Sequence, residues 1–138
     1  MSRYCTVTTE FRDDEALISA LMETSGWSLE QIECHQIPKH LLGFQGDRRK
    51  EVAHVIIRRK HVGRNSNDLG FVKAEDGSFR AIISDYDKRK YGEKWMATLK
   101  GNYAFHTIKR QQEQRGRRVK RSRCSRTNRQ RIEITGYR

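Results

Sequence analysis

The side chains of this sequence best suited to chemistry are arginines. Between residues 109 and 131 eleven lysines and arginines stand against one acid, Glu113, a local charge of +10 within a chain whose net charge is +12. The cations are Arg115, Arg117, Arg118, Lys120, Arg121, Arg123, Arg126, Arg129 and Arg131, preceded by Lys109 and Arg110. Most are arginine, whose planar fork holds two phosphate oxygens at once where lysine offers a point charge. A stripe of this kind on a two-stranded ribbon suits a polyanion, and Arg58, Arg59 and Lys60 are expected to extend it. The partner expected is nucleic acid, DNA or RNA, gripped by its phosphates; an acidic protein surface is the alternative. Tyr137 is the one aromatic near these cations, which favours backbone contacts or structured RNA over reading of single-stranded bases.

Other reactive residues are scattered. His106 shares a helix face with Tyr103, and this pair is the candidate functional polar site outside the basic segment. A lone histidine on an apolar face is more often a hydrogen-bonded core residue. Cys34, His35 and His40 sit close together, but a structural zinc needs four ligands and no second pair completes the set, so neither metal nor cofactor is expected. Asp85 and Asp87 form an acid pair beside Lys88, Arg89 and Lys90, a pattern that an ordinary salt-bridged loop also explains. The chain lacks a Walker loop, GxGxxG, GxSxG and HExxH, so a non-enzymatic role is the expectation, with no catalytic residue assigned.

The elements that must position these residues follow from periodicity. Residues 95–116, WMATLKGNYAFHTIKRQQEQRG, read as the longer of two helices. Trp95, Met96, Leu99, Tyr103 and His106 fall on one side, while Gly101, Ala104, Phe105 and Ile108 fall on the other. Such a helix is buried between layers, or kinked at Gly101 so that one core sees both sides. Residues 4–11 alternate as a first strand, and Asp13 then opens a shorter helix that Gly26 ends. A short strand over 31–36, a break at Pro38, a central strand over 52–59 and strands over 69–74 and 79–84 follow. Asp76-Gly77 reads as a two-residue hairpin turn between the last two. Residues 117–124 and 129–137 read as two final strands. The expected fold is α+β, in the order β-α-β-β-β-β-α-β-β, with a mainly antiparallel sheet and both helices packed on one face.

At 138 residues and 35% hydrophobic content the chain has the size of one domain, expected to span 1–138 with 115–138 a basic C-terminal hairpin. No apolar run approaches the roughly 20 residues needed to cross a bilayer, and the N-terminus lacks a signal-peptide core, so the expected setting is the cytoplasm, without membrane. Cys5, Cys34 and Cys124 are an odd number without a CxxC pair, consistent with reduced thiols.

Several segments also occur together in a recognisable order. TVTT before the acidic helix start, LLGFQG, AHVIIRR, DLGF, the DG turn before an Ile-rich strand and NYAFHTIKRQQEQRG resemble the family of unknown function typified by hypothetical chloroplast open reading frame thirty-five, found in algal plastids, cyanobacteria and other bacteria. The resemblance covers most of the chain and is weakest in the Arg-rich segment after Gly116. It implies no activity, cofactor or catalytic residue, and draws attention to Tyr103, Ala104, His106 and Thr107 in the long helix.

Overall fold

The structure is a computed structural model that describes residues 2–123 and 129–137, the last by its main chain alone. Seven strands and three helices follow one another as β1 (Tyr4–Thr8), α1 (Asp14–Ser25), β2 (Ile32–Leu42), β3 (Arg48–Ile57), α2 (Arg59–Val62), β4 (Leu69–Lys73), β5 (Phe79–Ser84), α3 (Glu93–Gln114), β6 (Arg117–Arg123) and β7 (Gln130–Tyr137). Five strands form one antiparallel sheet in the order β1-β5-β4-β3-β2, and β6 pairs with β7 in a separate hairpin. The expected α+β order stands, with a single turn of helix, α2, added after β3. Among the described residues no helix is long and apolar enough to cross a membrane.

Local chemistry fixes the helix ends. The Asp13 carboxylate accepts from the N–H groups of Glu15 and Ala16 at 3.0 and 3.2 Å, satisfying donors that the first turn of α1 leaves open. Gly26 ends the helix at φ 73°, where its N–H returns to the Met22 carbonyl. Ala16, Leu17, Ala20 and Leu21 face inward and pack, with Met96 and Leu99 of α3, on Val55, Ile57, Phe71, Phe79, Ala81 and Ile83 of the sheet. Both long helices therefore cover the same face. α1 and α3 run antiparallel, since Trp95 donates to the Ser25 hydroxyl at 2.8 Å and Asn102 to the Thr24 hydroxyl at 2.9 Å, while Arg110, farther along α3, pairs with Asp13 at the other end of α1.

Two sequence expectations change in detail. Pro38 does not break the chain: β2 is one strand, and between Cys34 and Lys39 it carries three more residues than β3 does between Val55 and Ala53. A proline has no N–H to give the ladder, and a bulge is where that loss is tolerated. The Asp76-Gly77 turn holds three loop residues, because the Ala74 N–H still bonds the Ser78 carbonyl; Gly77 takes φ 86°, the left-handed residue that such a turn needs.

The opposite face of the sheet carries a smaller apolar cluster of Leu41, Ala53, Ile56 and Ile82, with Tyr4 and Val72 at its margin. Gly70 lies in its centre, and a Cβ there would stand 2.6 Å from the Ala53 Cβ and 3.0 Å from a Leu41 methyl. Gly70→Ala is expected to destabilise the fold by about 1–3 kcal/mol through overpacking. A lower urea midpoint at unchanged slope would register this, and an unchanged midpoint would mean that the cluster has slack.

Candidate nucleic-acid interface

The basic segment forms a ribbon with two unlike faces. Side chains alternate along β6 and β7, so Val119 and Arg121, with Gln130 and Ile132 from the partner strand, are half-buried, while Arg118, Lys120, Ser122, Arg131 and Glu133 are exposed. The half-buried face docks on α3. Gln130 donates from Nε2 to the Gly101 carbonyl at 2.7 Å, and the Arg121 guanidinium lies 3.6 Å from the centre of the Phe105 ring. Both Arg121 terminal nitrogens reach the Glu23 carboxylate of α1, and His106 meets the same carboxylate at 2.8 Å. Gly101 and Phe105 therefore face the ribbon, while Met96 and Leu99 face the core. Of the two readings of a helix apolar on both sides, burial between layers is the one realised: α3 runs unbroken from Glu93 to Gln114.

The cations named from the sequence accordingly separate. Arg118, Lys120 and Arg131 share the outward face, with Glu133 opposite Lys120 as the acid among them. Arg123 and Arg129 are exposed at the strand ends, and Arg115 is exposed just past α3. Arg117 turns back to the Gln112 side chain at 3.1 Å. Arg126 lies outside the described residues. Arg121 is held inward and is 18% exposed, so it anchors the ribbon.

Arg58 is likewise committed elsewhere, at the end of β3. It pairs with Glu33 and with Asp68, each at 2.8 Å, and donates to the His40 carbonyl. Burial opposes ionisation of Glu33, yet bonds from Arg58 and His35 outweigh it and hold the carboxyl below its ordinary range. Asp68, 1% exposed, also accepts from the main-chain N–H groups of Leu42 and Arg59. Arg59 and Lys60 are exposed on α2.

The Tyr103–His106 face is occupied by structural work. The Tyr103 hydroxyl accepts from the N–H groups of Arg12 and Asp13 at 2.8 and 2.9 Å, fixing the entry to α1, and its ring meets Phe11 at 4.5 Å. Asp85 and Asp87 do not act as a pair. Asp87 is buried and accepts from the Asn67 N–H and the Ser84 hydroxyl, while Asp85 is exposed beside Cys5 and Lys88. His35 turns to Glu33, His40 to the Arg49 carbonyl, and His54 accepts from the Lys73 N–H. Burial, with the nearby Asp14 charge, pushes the Cys34 thiol up, away from the nucleophilic thiolate.

Sequence reading did not select Glu23, Phe105, Asn67, Asp68 or Ser84. Phe105 carried a signal, as the largest apolar residue on the second side of α3. Glu23 carried none, since Arg121, the residue that gives it meaning, lies 98 positions away.

A family model described as "Protein of unknown function (DUF1257)" matches residues 28–133, more than half of the chain and most of the basic ribbon. No curated protein and no solved structure matches the chain.

The Glu23 carboxyl is held below its ordinary range chiefly by the bond from Arg121, with His106 adding to it and burial opposing. A carboxylate whose folded pKa is lowered stabilises the fold fully above the unfolded value, and that contribution is lost as pH falls through the lowered one. Glu23→Gln is therefore expected to flatten the acid side of the stability curve below about pH 5, measured as urea midpoint against pH. An unchanged acid limb would mean that this carboxylate does not fasten the ribbon.

Proposed function

We propose a function for this chain, which belongs to the family described as protein of unknown function (DUF1257), from its charge distribution: it is a non-enzymatic accessory protein that binds nucleic acid through backbone phosphates, without strong sequence preference. We take the family to be the one typified by hypothetical chloroplast open reading frame thirty-five, a kinship that assigns no activity. The observation that carries the reading is the division of the ribbon. One face is fastened to α3 through Arg121 and Gln130, and this leaves Arg118, Lys120 and Arg131 together on the other, on a rigid support. Neighbours two apart on a strand stand roughly 7 Å apart, so the cations form a short row that can follow a phosphate backbone.

An adaptor that docks on an acidic protein is the second reading. It draws support from the groove between β1 and the first turns of α3, about 700 Å³ in volume, where Val7, Ile83 and Met96 form an apolar floor beside Lys88 and Lys100. The same positive ribbon would then steer an acidic partner.

Salt dependence separates the two. Each phosphate contact on duplex DNA contributes about −0.9 to the slope of log affinity against log salt. Replacing Arg118, Lys120 and Arg131 by alanine together is expected to make that slope shallower by about 2.7. Because all three are exposed, the unfolding free energy should change by no more than about 0.5 kcal/mol for each. An unaltered slope on duplex DNA, together with tighter binding to an acidic polypeptide, would favour the adaptor.

A further inference from the structure

A second cationic site lies apart from the ribbon, where the loop after α2 meets the turn after β5. Asn67 joins the two segments: its main-chain N–H bonds Asp87 at 3.0 Å and its side-chain amide bonds Ser84 at 3.0 Å. The Tyr86 hydroxyl reaches the Arg64 carbonyl at 3.3 Å. Between them is an open cavity of about 210 Å³, lined by Arg64, Arg89 and Lys90 together with Ser66 and Tyr86. That volume suits a phosphate group and is below the roughly 300 Å³ at which pockets for drug-sized ligands begin. Gly63 packs closely on its rim, since a Cβ there would stand 2.8 Å from the Ser66 hydroxyl.

The electrostatics favour an anion. Arg64, Arg89 and Lys90 are exposed, and among the described residues none of the three is ion-paired. Asp87, the lining acid, turns one carboxylate oxygen to Asn67 and Ser84. The site also holds an aromatic ring beside its cations. Tyr86 is 38% exposed, and the Arg89 guanidinium lies over its ring, 5.2 Å from the ring centre, so the ring is held beside the cations while part of it meets solvent.

We infer that this cavity holds the phosphate of one nucleotide of a single-stranded nucleic acid, between Arg64, Arg89 and Lys90, with the base outside it stacked on the exposed part of Tyr86. The inference rests on the nucleic-acid reading and extends it, because cations beside an aromatic ring that stacks bases are how single strands are held.

The test uses the full chain with uridine monophosphate, an oligouridine octamer and duplex DNA, read by titration and by the NMR shift of the Tyr86 amide. Tyr86→Ala is expected to weaken octamer binding about tenfold, with Tyr86→Phe close to the parent. Arg64→Ala with Arg89→Ala should make the octamer salt slope shallower by about 1.4 and remove the shift caused by uridine monophosphate. Inorganic phosphate should give a weaker form of the same shift, and the amide at position 86 should still show it in Tyr86→Ala. Octamer binding indifferent to Tyr86→Ala, with duplex binding intact, would overturn this site alone. A Tyr86-dependent octamer without any duplex binding would uphold the site and overturn the ribbon. An unmoved Tyr86 amide with all three ligands would overturn the site outright.

Discussion

A helix with apolar side chains on two opposite sides has to be covered twice, and most of this structure follows from how α3 meets that requirement. One side gives Met96 and Leu99 to the core shared with α1 and the sheet. Phe105, on the other side, would lie against water if nothing covered it. The cover is a two-stranded ribbon, an element that is marginal by itself in water and needs a surface to rest on. The helix lacks its second layer without the ribbon, and the ribbon lacks support without the helix.

Such a cover is an unusual choice, because the ribbon is the most positive part of the chain. The docking face resolves the conflict by using a cation as its anchor. Arg121 lays its guanidinium on Phe105 and directs its terminal nitrogens to Glu23, so one side chain supplies both apolar contact and charge pairing. His106 shares the same carboxylate, which links α1, α3 and β6 through a single acid. Arg118, Lys120 and Arg131 are turned outward and held in a row. Mutual repulsion among them costs some stability, and a polyanion that neutralises them would return it.

Elements built from neighbouring residues were legible in the sequence. Asp13 and Gly26 marked both ends of α1, residues 52–59 marked a central strand with its β-branched Val55, Ile56 and Ile57, and the alternation of Ile132 and Ile134 with Arg131, Glu133 and Thr135 marked the last strand of the ribbon. Pro38 misled, because a proline in a paired strand and a proline in a break look alike until a bulge is seen. Partnerships over long separations were illegible. Arg58 reads as one more cation in a basic run, but Glu33 and Asp68 hold it at the end of β3. The same limit hid the bridge by which Asn67 reaches Ser84 and Asp87, since each residue alone is an ordinary loop polar group. Charge was visible in the sequence, whereas the division of that charge between anchoring and outward roles required the fold.

The proposed function requires nucleic acid to meet the outward face of the ribbon and to leave the docked face undisturbed. NMR spectra of the isotope-labelled chain, taken with and without a short DNA duplex, resolve the two faces residue by residue. The expected result is movement of the signals of Arg118, Lys120 and Arg131, with the Arg121 guanidinium and the Phe105 ring unmoved because the two remain stacked on each other. Movement centred on Arg121, Phe105 and Glu23, or a spectrum unchanged by the duplex at low salt, would contradict it.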